Sequence, residues 1–219
     1  MHHLDPDYLP KTVGTLDRFV LNPKADVDGL LLSDGTEIHT PPHLSAQLIK
    51  QLKPGASLTV YGVKTRSNDL VIAIAIDPAN GTRIVDHGPG PKYEKPHKPR
   101  EDAKPVTHSG VIQRLLHGPK GNLHGALLDD GTVIRFPPHS AKHFADFLAI
   151  DAPLSVRGNA LTTGQGTVID AKAMGREVAT LIDAPKPPKP PEHHDKHHDK
   201  HPEKKPKKGL PHTDHASHP

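Results

Sequence analysis

The chain has 219 residues, with 25 prolines, 18 glycines, four Phe, three Tyr, and neither cysteine nor tryptophan. Lack of cysteine excludes disulfides, thiolate zinc sites and a cysteine nucleophile, and no run reaches the roughly 18 apolar residues of a membrane-spanning helix. The net charge of +3 lies outside the apolar stretches: residues 1–86 carry −2, 87–107 carry +2, 108–184 carry zero and 185–219 carry +3. Neither apolar stretch therefore has the Lys/Arg excess of a dedicated nucleic-acid domain.

Residues 1–10 are acidic and lack an apolar run, so they read as a flexible N-terminus rather than a secretory signal. That start and the lack of cysteine point to the cytoplasm. Residues 12–21 mix β-branched and apolar side chains and predict a strand, followed by a loop at 22–26. Gly29 to Ser33 predicts a second strand, Asp34-Gly35 a hairpin turn, and Thr36 to Thr40 the returning strand. Pro41-Pro42 stops it, because proline cannot donate to a central ladder. Leu44, Leu48, Ile49 and Leu52 then form the apolar stripe of a helix over about 43–52, ended by Pro54-Gly55. Ser57 to Lys64 and Leu70 to Ile76 predict two more strands.

The same order returns 96 positions later. Gly14 falls on Gly110, Arg18 on Arg114, Pro23-Lys24 on Pro119-Lys120 and Leu31-Leu32 on Leu127-Leu128. Asp34-Gly35-Thr36 falls on Asp130-Gly131-Thr132, Pro41-Pro42-His43 on Pro137-Pro138-His139, and Leu58, Val60 and Gly62 on Leu154, Val156 and Gly158. A period this long marks two domains rather than a solenoid. The second helix is expected to be carried by Phe144, Phe147 and Leu148. The organisation is a flexible 1–10, a domain at 11–86, a linker at 87–107, a domain at 108–183 and a disordered Pro/His/Lys-rich tail at 184–219.

The order β-β-β-α-β-β in each copy, the Gly-x-[IL] opening of the first strand, the Asp-Gly-Thr hairpin and the L-x-V-x-G fourth strand resemble tandem bacterial oligonucleotide/oligosaccharide-binding (OB) domains. The resemblance implies a mainly β protein of two five-stranded OB-like barrels, with a small SH3-like barrel as the alternative. It also implies a ligand face on the outside of strands two and three, framed by the loops after strands one and four. Those places hold Lys24 and Lys120 in the first loops, His39 and Arg135 on strand three, Tyr61 and Arg157 on strand four, and Arg66 in the loop after it. Single-strand binding wants aromatic platforms with a basic groove. Tyr61 is the one aromatic offered outward, since Phe136 shares the inward parity of Ile134.

His43 and His139 recur before each helix. No recurring carboxylate or nucleophile accompanies them, so they read as structural, at or near a helix N-cap. No P-loop, nucleophile elbow, zinc-protease motif or dinucleotide fingerprint is present, which argues against an enzyme and requires no cofactor. The tail is the most unusual chemistry. His193, His194, His197, His198 and His201 form a tandem His-His-Asp-Lys tract that suits nickel, zinc or copper. Lys204, Lys205, Lys207 and Lys208 offer sequence-blind phosphate contacts. The expectation is a non-enzymatic binding protein for single-stranded DNA or RNA. A metal-handling protein and a protein-interaction module are the alternatives.

Overall fold

The computed structural model describes residues 5–66, 69–90 and 102–186. The tail histidines and lysines, and most of the linker, lie outside those residues. The chain is mainly β and contains two closed five-stranded barrels within one compact unit. No helix among the described residues is long and apolar enough to cross a membrane.

The first barrel is built from β1 (Lys11–Leu21), β2 (Val27–Leu32), β3 (Glu37–His39), α1 (Ser45–Gln51), β4 (Ser57–Lys64) and β5 (Leu70–Pro78). Its strand order is β3-β2-β1-β4-β5, and a parallel β3–β5 pairing, with Ile38 opposite Val71, closes the ring. Closure needs strongly bent strands, and β1 carries register shifts at Leu16/Arg18 and Val20/Leu21, while β4 carries one at Tyr61/Gly62. Gly62 is fixed by that bend, because a Cβ there would sit 2.1 Å from the Ile72 carbonyl oxygen. Gly158 meets the Asp170 carbonyl oxygen at 2.2 Å in the second copy, which explains why the glycine recurs. Leu16, Leu30, Ile38, Leu48, Leu52 and Val60 fill the interior, each at most 1% exposed. Burying one such side chain is worth about 1.5–3 kcal/mol.

The second barrel repeats the topology with β7 (Lys104–His117), β8 (Leu123–Leu128), β9 (Val133–Arg135), β10 (Pro153–Thr163) and β11 (Gly166–Gly175), closed by parallel β9–β11. Two departures from the sequence reading are structural. First, each barrel gains a two-residue strand, β6 (Ile84–Val85) on β5 and β12 (Ile182–Asp183) on β11. Second, the expected second helix is absent, and the segment holds two 3-10 turns, Pro138–Ser140 and Ala145–Phe147. The residues of α1 from Ala46 to Gln51 are mostly strong helix formers, whereas His143, Phe144, Asp146 and Phe147 are weak ones. Phe144 and Phe136, edge to face with centroids 6.4 Å apart, stand where the first barrel has Leu48 and Thr40. Ring volume thus replaces a helical plug.

Candidate nucleic-acid interface at the seam between the barrels

The barrels meet through β1–β3 of the first and β7–β9 of the second, with β10 and β11 of the second packed against β1. One continuous cluster of buried side chains includes Val20, Leu21 and Leu31 of the first barrel with Leu116, Leu127, Val133, Leu161 and Val168 of the second. The contact is pseudo-symmetric. Arg114 Nη1 donates to the Gly35 carbonyl oxygen in the first barrel's hairpin at 2.7 Å. Its repeat counterpart Arg18 lies over Gly131 of the second hairpin, leaving 3.1 Å between Nη1 and a Cβ placed there. These two arginines, which recur in the repeat, are seam residues.

Polar groups are concentrated in this contact. Arg135, 4% exposed, donates from Nε to the Leu21 carbonyl oxygen at 2.8 Å and pairs through Nη2 with Asp28. Its Nη1 lies 2.8 Å from Nε2 of His124, whose Nδ1 is 3.2 Å from the Leu116 carbonyl oxygen. Nη1 lies 3.0 Å from Nδ1 as well, so this guanidinium nitrogen faces both nitrogens of the His124 ring. Burial, seconded by Arg135, His39 and His117, pushes His124 down to about 3. Burial and then Arg135 also lower His39. Burial pushes Asp28 up to about 6 against the pull of Arg135. On the other side of Arg114, the His117 backbone N–H donates to Glu37 Oε1 at 3.2 Å, and Glu37 Oε2 lies 3.8 Å from the His117 ring.

The two ends of the seam differ. At one end, Leu21, Val133, Leu161 and Val168 belong to the shared apolar cluster. At the other, a groove of about 310 Å³ opens between the barrels, with Glu37, Leu70, Gln113, Arg114, His117 and Ile150 among its walls. His117 is the base of the β7–β8 loop carrying Lys120, and Asp69 and Leu70 end the β4–β5 loop carrying Arg66. The groove is thus bracketed by a first loop of one barrel and a fourth-strand loop of the other, the loops that frame OB ligands.

The sequence-derived site residues scatter on this structure. Lys120 and Arg66 are exposed on the loops that bracket the groove. Lys24 is half-buried in its loop, its backbone N–H bonded to Asn22 Oδ1. Arg157 is exposed and paired with Asp183 at 2.8 Å. Two expectations are corrected. Arg135 does point outward from its own barrel, but the other barrel covers it. Tyr61 is 7% exposed, with Lys11 Nζ 5.3 Å and Arg83 4.8 Å from its ring centre, so no base can stack on it. His43 makes no N-cap bond. Its Nε2 is 2.9 Å from Asp86, and His139 reaches the Pro185 carbonyl oxygen, so each histidine clasps the segment leaving its barrel. Phe136 is inward, as its parity predicts, at 4% exposure.

Asp28, Glu37, His117 and His124 escaped the sequence reading. The signal was available in the repeat: Asp28 aligns with His124, His39 with Arg135, Leu21 with His117 and Glu37 with Val133. Polar side chains in otherwise apolar strands, exchanged for different partners in the other copy, mark a contact between the copies. No group of three or more His, Asp or Glu among the described residues is placed to hold a metal ion. The tail tract from His193 to His201 and the lysines at 204–208 lie outside the described residues.

No family model and no curated protein matches the chain. Among solved structures it is similar to the wild-type single-stranded DNA binding protein from Thermus aquaticus, with 16% identity over 82% of this chain and 94% of that chain and a TM-score of 0.23. It is similar at 17% identity to a deletion mutant of that protein, over 83% of this chain and 96% of that chain, with the same TM-score.

Proposed function

We propose that the chain is a non-enzymatic cytoplasmic protein that holds single-stranded nucleic acid at the open end of the seam. The observation that carries this reading is the groove bracketed by the Lys120 and Arg66 loops. Lys120, Arg66 and Arg114 supply positive charge for phosphates, and Glu37 and Gln113 supply hydrogen-bonding groups for base edges. The strand faces themselves are spent on pairing the barrels, and the aromatic platform is covered. Binding is therefore expected to be electrostatic, strongly salt-dependent and weakly selective. The lysines at 204–208 add to it without choosing sequence.

The test is a titration of labelled single-stranded DNA and RNA from about 50 to 200 mM salt, a range over which phosphate contacts lose most of their affinity. Lys120→Glu and Arg66→Glu should each weaken binding and lower the salt slope by about one, while Arg157→Glu leaves the slope unchanged. A chain ending after Lys186 keeps the Ala184 N–H bond to Lys172 and the His139 bond to Pro185, so it tests the tail without opening the barrel. Absence of binding at the lowest salt ends the proposal. Binding that ignores both groove variants and vanishes with the tail moves the activity off the barrels.

A further inference from the structure

We infer that the groove reads one base of the strand it holds, and that the base is guanine, an assignment that rests on the single-strand reading. It adds a choice at one nucleotide to an otherwise sequence-blind site. At about 310 Å³ the groove is at the lower end of small-ligand pockets, with room for one base rather than a run.

Its charged walls come from both barrels. Glu37 is 8% exposed. Its Oε1 accepts the His117 backbone N–H at 3.2 Å, and its Oε2 lies 3.8 Å from the His117 ring. A carboxylate has about four acceptor sites, so both oxygens keep capacity. Arg114 is anchored close by, because Nη1 donates to the Gly35 carbonyl oxygen at 2.7 Å, two residues before Glu37. Asp69, the other carboxylate on the groove, is exposed and paired with Lys64 at 2.8 Å. Ile150, 59% exposed, gives the groove an apolar wall for the flat face of a base.

The carboxylate is not demanded by the fold. At the sealed end the equivalent positions hold Val133 and Leu21, and that end closes without it. An ionised carboxylate only accepts, so it chooses among bases by their donors. Guanine presents N1–H and its 2-amino group side by side, matched to two carboxylate oxygens, and its O6 and N7 accept from an arginine. Adenine and cytosine present one donor beside an acceptor. Thymine and uracil present one donor between two acceptors, which a carboxylate repels. Glu37 and Arg114 together therefore complement guanine and leave each other base with a mismatched group.

The test uses the full chain and labelled oligothymidylates of about ten nucleotides, in which one thymine is kept or replaced by guanine, hypoxanthine or adenine. Guanine should tighten binding about tenfold over thymine, the lower range of a bidentate contact. Hypoxanthine keeps O6 and N7 but lacks the 2-amino group, so it should lose most of that gain. Adenine stacks as guanine does and should gain little. Glu37→Gln keeps an acceptor for the His117 N–H but turns the second oxygen into a donor, and should bring guanine and thymine strands within about threefold of each other. Equal affinity for guanine, adenine and thymine strands overturns the guanine assignment and leaves strand binding standing, as does hypoxanthine binding as well as guanine. A guanine preference that survives in a folded Glu37→Gln chain overturns the role of Glu37. Guanosine monophosphate is the last arm. Its binding by a chain that holds no strand keeps the guanine site and ends the single-strand reading, and binding of neither ends both.

Discussion

The two ends of the seam are made from equivalent positions and finish in opposite ways. Leu21 and Val133 seal one end with Leu161 and Val168. At the other, the same repeat positions hold His117 and Glu37, and the groove stays open. The loops differ in step: two extra residues extend the β10–β11 hairpin, so Ile38 pairs with Val71 but Ile134 pairs with Ile169, 98 positions further on. Duplication of a barrel has thus sealed one end of the seam and left the other open. Exchanging side chains between the ends should exchange their properties.

The largest effect is expected at the polar centre that joins both ends. Arg135→Ala leaves the half-buried Asp28 without its partner and the Leu21 carbonyl without its donor. It should cost about 3–5 kcal/mol in urea unfolding, the cost of breaking a buried pair from one side. Arg135→Met combined with Asp28→Leu should recover most of that loss. Next comes the sealed end. Leu161→Ala removes a side chain that is 5% exposed and should cost about 2–4 kcal/mol, whereas Ile150→Ala at the open end, 59% exposed, should cost less than about 0.5 kcal/mol. Equal costs would break the comparison.

A direct exchange sharpens it further. Glu37→Val with His117→Leu gives the open end the residues of the sealed one. Replacing the carboxylate and imidazole by apolar groups should leave stability unchanged or raise it by about 1 kcal/mol. Nucleic-acid affinity, measured in the same salt series, should fall at least tenfold. Retained affinity would place the ligand elsewhere.

The smallest predicted effects come from turns in which the copies differ. Ala25 has φ 61° where the second copy has Gly121 at 76°, and Asp151 has φ 63° where the first has Gly55 at 88°. A side chain in this left-handed region costs about 1 kcal/mol. Ala25→Gly and Asp151→Gly should each stabilise by about 0.5 kcal/mol in thermal unfolding once chain entropy is counted.

Much of each barrel was legible because its signals are local. The Asp-Gly hairpins, the Pro-Pro stop and the α1 stripe each announce themselves within a few residues. The strands β6 and β12 are two residues long and carry no period to detect. The stripe of Phe144, Phe147 and Leu148 had helical spacing, but weak formers and the Phe136–Phe144 ring pair decided the segment. The site was less legible for a different reason. An outward strand position looks the same whether it faces water or another barrel, so Arg135 read as a ligand contact. Tyr61 was likewise covered by Lys11 and Arg83, the latter from a loop after the strand that its alternation could not show.

The central claim is that the strand faces of the two barrels cover each other. The absence of native cysteine makes a paired label straightforward. Spin labels at Lys53→Cys and Ala149→Cys, exposed positions 96 apart and equivalent in the repeat, should give one narrow distance distribution at neutral pH in the full chain. A broad distribution, as from barrels tethered by a linker alone, would contradict the paired-barrel account.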